Sequence, residues 1–267
     1  DRLNHASILD AARSCGARLR KYPHCDVGRL ERLLSARRGG HKRCLIVTDS
    51  LFSMDGDFAP LADLADLRDR YDCLLLIDEA HATGVIGPEG RGVAERAGVE
   101  DRVDAVVGTL SKALGALGGF VAGRRALIDT IRNTGRPYIY TTAPPPAICE
   151  AARAALRIVR DEPGRRRRVL SLAEGLRGRL GQAGLDTGAS VSQILPVVVG
   201  PAARAMQLSR ALLEDGFLVP AIRPPTVPRG TSRLRVSLSA GHEDRDVQEF
   251  TAALVRRRAD SARTSVS

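Results

Sequence analysis

The sequence predicts an α/β protein: a mostly parallel sheet sandwiched by helices, followed by a smaller C-terminal α+β domain. Three observations predict it. Apolar runs rich in β-branched residues alternate with helical patterns through the first half, as in βα-layered domains. The runs are apolar throughout rather than alternating, as expected of strands covered on both faces. Finally, Glu162-Pro163-Gly164 interrupts a long helical pattern, and the order of elements changes beyond it.

Taken in order, Leu45-Ile46-Val47-Thr48, Leu74-Leu75-Leu76-Ile77, Ala105-Val106-Val107-Gly108 and Gly119-Phe120-Val121-Ala122 read as buried strands. Pro60 to Tyr71 opens with proline at a helix start, and Arg124 to Arg132 continues the helical layer. Tyr138-Ile139-Tyr140 reads as an aromatic strand, and Pro145 to Arg160 as an alanine-rich helix. After the break come a helix (Arg165 to Ala183), a strand (Ile194 to Val199), a helix (Ala202 to Asp215), strands Phe217 to Ile222 and Arg233 to Ser239, and a last helix (Glu243 to Arg258). The expected organisation is a first domain over 1–145, a linking helix over 146–163, a second domain over 164–259, and a disordered polar tail over 260–267.

With 267 residues, 43% of them hydrophobic, the chain has ample material for one large or two smaller cores. No run approaches the ~18 apolar residues of a membrane span. Nor is there a basic-then-apolar leader, so a soluble, cytoplasmic protein without a membrane partner is expected. A start at Asp1 without methionine suggests that an upstream part is absent. The five cysteines, Cys15, Cys25, Cys44, Cys73 and Cys149, form no C-x-x-C pair and suggest reduced thiols rather than a disulfide framework. A net charge of +10 raises nucleic-acid binding, but only Arg165 to Arg168 form a dense run, which reads more simply as a solvated helix face.

Lysine usage is more informative. Of 41 basic residues only Lys21, Lys42 and Lys112 are lysines. Arginine supplies charge but stays protonated, so only lysine can act as an amine nucleophile. Lys112 follows a buried strand in Gly108-Thr-Leu-Ser-Lys112 and leads into a small-residue stretch where a ligand can approach. In Leu76-Ile77-Asp78-Glu79-Ala80-His81 an apolar strand runs into an acid, and carboxyl ends of parallel strands are where ligands bind. The alternative is an acid capping the next turn, with His81 a loop residue. Asp-Glu-Ala-His also spells the Walker B motif of a helicase class, yet no G-x-x-x-x-G-K-[ST] loop stands upstream. A pyridoxal cofactor, by contrast, needs a lysine to bond it, a carboxylate for its pyridine nitrogen, and phosphate donors. Lys112, Asp78, and Thr109 with Ser111 supply these, while His81 can face the ring.

Five segments in order, Asp1 to Ser7 (DRLNHAS), Leu51 to Asp57 (LFSMDGD), Asp78 to Gly84 (DEAHATG), Gly108 to Ala113 (GTLSKA) and Arg223 to Arg235 (RPPTVPRGTSRLR), resemble the α-oxoamine synthases, fold-type I PLP-dependent transferases. The resemblance implies pyridoxal 5′-phosphate as cofactor, no metal, and a decarboxylative Claisen condensation of an amino acid with an acyl-CoA or acyl-carrier thioester. It implies that Lys112 bonds the cofactor and removes the α-proton, which requires a lowered pKa. It likewise implies Asp78 as the pyridine-nitrogen partner, His81 and Ser53 at the phenolic oxygen, and Thr109 as a phosphate ligand. Arg235 corresponds to the clamp on the amino-acid carboxylate, its alternative being an arginine paired across a sheet. Thr141 and Thr142 correspond to residues that reach a neighbouring subunit's phosphate, implying a homodimer; ordinary β-propensity is the alternative.

The string containing Arg223 and Thr226 is most similar to members that use L-alanine and a pimeloyl thioester, with Arg223 either facing the acyl carboxylate or shaping its loop. Sister members use glycine or serine. The family also carries a segment ahead of Asp1, with a glycine-rich turn and a ring-stacking histidine, so weak cofactor binding and poor turnover are expected of this chain alone. A competing expectation is a non-catalytic, basic module that binds nucleic acid through its arginines.

Overall fold

The structure, a computed structural model, describes residues 1–263. The first part runs α1 (Ala6–Ser14), α2 (Val27–Arg37), β1 (Leu45–Asp49), α3 (Leu61–Arg70), β2 (Leu74–Asp78), α4 (Val93–Ala97), β3 (Ala105–Thr109), β4 (Gly119–Gly123), α5 (Arg125–Thr134), α6 (Arg136–Ile139) and α7 (Pro146–Asp161). The second comprises α8 (Gly164–Gln182), β5 (Ile194–Gly200), α9 (Ala202–Glu214), β6 (Ala221–Ile222), β7 (Ser232–Ser237) and α10 (Asp244–Arg263). The described chain divides into two compact units, residues 1–52 with 58–163, and residues 53–57 with those from 164 onward.

In the first unit β1, β2 and β3 are parallel neighbours, and β4 closes the order β1-β2-β3-β4 as an antiparallel strand. Ile46, Leu75 and Ile77 are buried, as near-continuous apolar strands require. Helix α3 buries Leu61, Leu64, Ala65 and Leu67, a stripe at helical spacing that covers the sheet. Gly108 is the close approach in this sheet: it pairs with Phe120 across β3 and β4, and a Cβ there would fall 2.2 Å from the Phe120 ring.

In the second unit β5, β7 and β6 form an antiparallel sheet in that order. Its core joins Leu176 and Leu180 of α8, Leu208 and Leu212 of α9, and Leu254 of α10 to Leu195 and Leu234 of the sheet. The arginine run is helical but not wholly solvated, because Arg166 is buried and Arg168 donates to Asp244 at 2.7 Å. Among the described residues no helix is long and apolar enough to cross a membrane.

Four expectations about elements are corrected. The strand over Gly119 to Ala122 forms as β4 but is not buried: it is the end strand of the sheet, and only Phe120 in it is partly covered. Tyr138 to Tyr140 is no strand: Gly135 accepts from the Tyr138 and Ile139 N–H groups, and Arg136–Ile139 is a short helix with Pro137 in its first turn. The strand expected over Phe217 to Ile222 shrinks to Ala221–Ile222, because Pro220 accepts from the Arg235 N–H but has no N–H to return. The last helix continues past Arg258 to Arg263, so residues 260–263 of the expected tail are helical, and residues 264–267 lie outside the described residues.

Gly108→Ala is expected to destabilise the first unit by about 1–3 kcal/mol through overpacking against Phe120. Urea denaturation measures this, and Phe120→Leu should restore part of the loss in the double variant; unchanged stability of the single variant contradicts the contact.

Candidate active site

The carboxyl ends of β1, β2 and β3 bring Asp49, Asp78 and Thr109 to one side of the first unit. Together with His5, His81 and Lys112 they line a cleft of about 240 Å³. Four of the expected site residues, Asp78, His81, Thr109 and Lys112, therefore share one cavity.

Each is positioned by its local chain. Asp78 Oδ1 accepts the Ala80 N–H at 2.8 Å, so the acid does cap the turn that follows β2 while also lining the cleft. The next residue, Glu79, turns the other way and is buried; its carboxylate accepts the Ser50 hydroxyl and the N–H groups of Val93 (3.0 Å) and Ala94 (2.9 Å) at the start of α4. Burial pushes the Glu79 carboxyl up, against the pull of those hydrogen bonds. After β3, Thr109 Oγ1 accepts the Ser111 N–H at 3.2 Å, and the two hydroxyls lie 2.7 Å apart. The turn holding Lys112 is thus fixed by side-chain oxygens, and the Lys112 carbonyl accepts from the Gly115 N–H at 3.0 Å.

The DRLNHAS segment packs along β1. Asn4 donates from Nδ2 to the Val47 carbonyl at 2.9 Å and accepts the Asp49 N–H at 3.1 Å. The His5 N–H reaches Asp49 Oδ1 at 3.2 Å. The Asp1 carboxylate accepts the N–H groups of Leu3 and Cys25, each at 2.7 Å, which ties the segment to the loop before α2.

Sequence reasoning missed Asp49. It stands opposite Asp78 in the parallel register and lines the cleft. Burial pushes its carboxyl up to about 7; the His5 N–H opposes this, the Asp78 charge adds to it, and Lys112 opposes it. The signal was available, since Thr48-Asp49-Ser50 repeats the acid-after-apolar-strand pattern that marks Asp78. His5, from the DRLNHAS segment, also lines the cleft.

The remaining expected residues lie elsewhere. Ser111 is exposed beside Thr109. Thr141 and Thr142 are exposed in the irregular segment after α6, outside the cleft lining. Ser53, Arg223, Thr226 and Arg235 belong to the second unit. There Arg235 Nε donates to the Ser53 carbonyl at 2.6 Å, and burial lowers the guanidinium pKa. Arg223 and Thr226 are exposed in one turn, with the Thr226 N–H on the Arg223 carbonyl at 3.1 Å.

A parallel sheet with lysine and carboxylates at its strand ends is matched by a family. Residues 1–254 fit the family described as Aminotransferase class I and II, and the chain belongs to it. Within that family the chain is 53% identical over 254 residues to 8-amino-7-oxononanoate synthase of Anaeromyxobacter dehalogenans (strain 2CP-C), covering 95% of this chain and 64% of that one. Among solved structures, a serine palmitoyltransferase variant from S. paucimobilis with bound PLP–myriocin aldimine is similar with a TM-score of 0.93 at 33% identity, covering 97% of this chain and 66% of that one. An 8-amino-7-oxononanoate synthase from Francisella tularensis is similar with a TM-score of 0.83 at 27% identity, covering 98% and 75%. These relatives agree with the α-oxoamine synthase resemblance and with the fold-type I architecture. The chain spans just under two thirds of the length of the Anaeromyxobacter synthase.

The Asp49 carboxyl makes stability depend on pH. Its folded pKa of about 7 exceeds the 3.8 of an ordinary aspartate, so its contribution is fully present below about pH 4 and is lost as pH rises through about 7. That loss is on the order of 4 kcal/mol. Denaturation midpoints between pH 5 and 8 should fall for the wild type and flatten in Asp49→Asn; parallel curves for the two proteins would rule out the assignment.

Proposed function

We propose that the chain carries the cofactor-holding core of a PLP-dependent C-acyltransferase of the 8-amino-7-oxononanoate synthase type. It would join L-alanine to a pimeloyl thioester by decarboxylative condensation, in the cytoplasm and as a homodimer. The observation that carries the reading is the single cleft shared by Lys112, Asp78, His81 and Thr109. The 53% identity to a synthase of that name supports the alanine and pimeloyl choice.

The donor set fits pyridoxal phosphate: an amine at Lys112, carboxylates at Asp78 and Asp49, and hydroxyls at Thr109 and Ser111. When bound, the cofactor supplies an electron sink for the charge left on the amino acid's α-carbon. The Asp78 carboxylate would hold a proton on the pyridine nitrogen, and the Thr109 and Ser111 hydroxyls would bind phosphate. Lys112 Nζ would take the α-proton, and the His81 ring would lie against the cofactor and steady developing charge. Ser53 is assigned to the cofactor's phenolic oxygen, and Thr141 and Thr142 to the phosphate of the second subunit. Arg235 would hold the amino-acid carboxylate through its planar fork, while Arg223 and Thr226 would face the acyl part of the thioester.

A second reading, a sister synthase condensing serine or glycine with another acyl-CoA, is favoured by the similarity to serine palmitoyltransferase.

Incubating the protein with pyridoxal phosphate and borohydride should fix one cofactor on Lys112, seen by peptide mass spectrometry, and Lys112→Ala should abolish the label. Labelling spread over Lys21 and Lys42 in place of Lys112 would sink the proposal. In a form that includes the relatives' additional length, thiol release from pimeloyl-CoA with alanine, glycine or serine separates the two readings. Arg235→Lys should there raise the KM for the amino acid about tenfold or more, the cost of losing a bidentate carboxylate clamp; an unchanged KM would remove Arg235 from the substrate site.

A further inference from the structure

The amino ends of β1 and β2 hold two cysteines that the cleft does not use. Leu45 and Leu74 are register partners, and the Leu74 N–H donates to the Cys44 carbonyl at 2.8 Å. In a parallel ladder this bond sets Cys44 opposite Cys73, one step before the first strand pair. Because side chains alternate along a strand, Cys44 shares a face with Ile46, and Cys73 shares the same face with Leu75. Neighbouring strands run ~4.8 Å apart, inside the ~4.4–6.8 Å between Cα atoms that a disulfide spans. The Cys73 thiol donates to the Tyr71 carbonyl at 3.6 Å, with Cys44 as its neighbour across the ladder.

Their surroundings divide the roles. Cys73 is buried and Cys44 is half-buried, so Cys44 is the one that meets a solute. Burial, with the Cys44 sulfur beside it, pushes the Cys73 thiol up to about 12, so Cys73 stays protonated until its partner reacts. Arg38 stands next to the pair. It donates to the carbonyls of His41 at 2.6 Å, Tyr71 at 2.8 Å and Asp72 at 2.7 Å, joining the turns that lead into both strands, and it faces Cys73 as the nearby positive charge.

We propose that Cys44 and Cys73 form a reversible disulfide across the amino ends of β1 and β2 when the protein meets hydrogen peroxide. The Cys44 sulfur attacks one peroxide oxygen, the O–O bond breaks, one water leaves, and Cys44 becomes a sulfenic acid. The Cys73 sulfur then attacks the Cys44 sulfur, the S–O bond breaks, and the departing hydroxide takes the Cys73 proton as a second water. Two thiols are oxidised by two electrons and the peroxide is reduced to two waters. A dithiol reductant reverses the bond by thiol–disulfide exchange. The staple lies at the opposite ends of strands whose carboxyl ends carry Asp49 and Asp78, five residues and roughly 16 Å away at ~3.3 Å per residue. It therefore closes the chain between the two strands without moving the cleft residues.

The test treats the full chain with graded hydrogen peroxide and digests it without reduction. The expected result is a crosslinked pair of peptides holding Cys44 and Cys73, lost on adding dithiothreitol. The variant carrying Cys15→Ser, Cys25→Ser and Cys149→Ser should keep the crosslink. The oxidised protein should melt roughly 5 °C higher, because a closed loop restricts the unfolded chain. In Cys73→Ala, Cys44 should stop as a sulfenic acid that dimedone traps. The proposal is overturned if Cys44 advances to sulfinic acid while Cys73 stays reduced in the wild type. It is equally overturned if crosslinks form only among Cys15, Cys25 and Cys149, or if neither Cys44 nor Cys73 is modified.

Discussion

The buried Glu79 carboxylate is the constraint on which the site depends. It gathers the end of β1 through Ser50, the end of β2 through its own backbone, and the start of α4 through two N–H groups. A buried carboxylate is costly unless its lone pairs are used, and here three donors use them. The geometry leaves no room beside it: a Cβ on Gly92 would lie 2.4 Å from the Glu79 carboxyl carbon, and Gly92 has φ +126°. With Glu79 turned inward, its neighbour in a strand of alternating side chains turns the other way, toward the cleft. The inward acid thereby aims Asp78.

A second consequence of strand-end geometry is electrostatic. The parallel register that buries Leu75 and Ile77 also forces Asp49 against Asp78. Two carboxyls at that spacing resist ionising together, and the Asp78 charge adds to the burial that raises Asp49. A lysine at the same cleft relieves part of the repulsion, so cation and acids are coupled through position alone.

How much of this was legible in the sequence follows from what each residue's neighbours are. The four strands of the first sheet were plain because their residues are apolar on both faces, and Asp78, His81 and Lys112 were plain because they end such strands or lie just beyond them. Helix α2 gives a weak signal, since Leu30 and Leu34 are the buried positions in a charged stretch. The Tyr138–Tyr140 segment misled because aromatic β-propensity reflects packing on a sheet, and here the chain had already turned into a helix started by Gly135 and Pro137. Asp49 was overlooked although its pattern matched that of Asp78; its distinguishing feature, the opposing acid, exists only across the ladder.

The amide of Asn4 has a further effect. A β-strand at the margin of a sheet exposes alternating donors and acceptors that can recruit a strand from another molecule. At the margin formed by β1, Asn4 covers one acceptor, the Val47 carbonyl, and one donor, the Asp49 N–H, with a single side chain. One residue thus mimics the pairing of a strand at two backbone positions of β1, and the lacing that sets the cleft wall also satisfies groups that a neighbouring strand would otherwise claim.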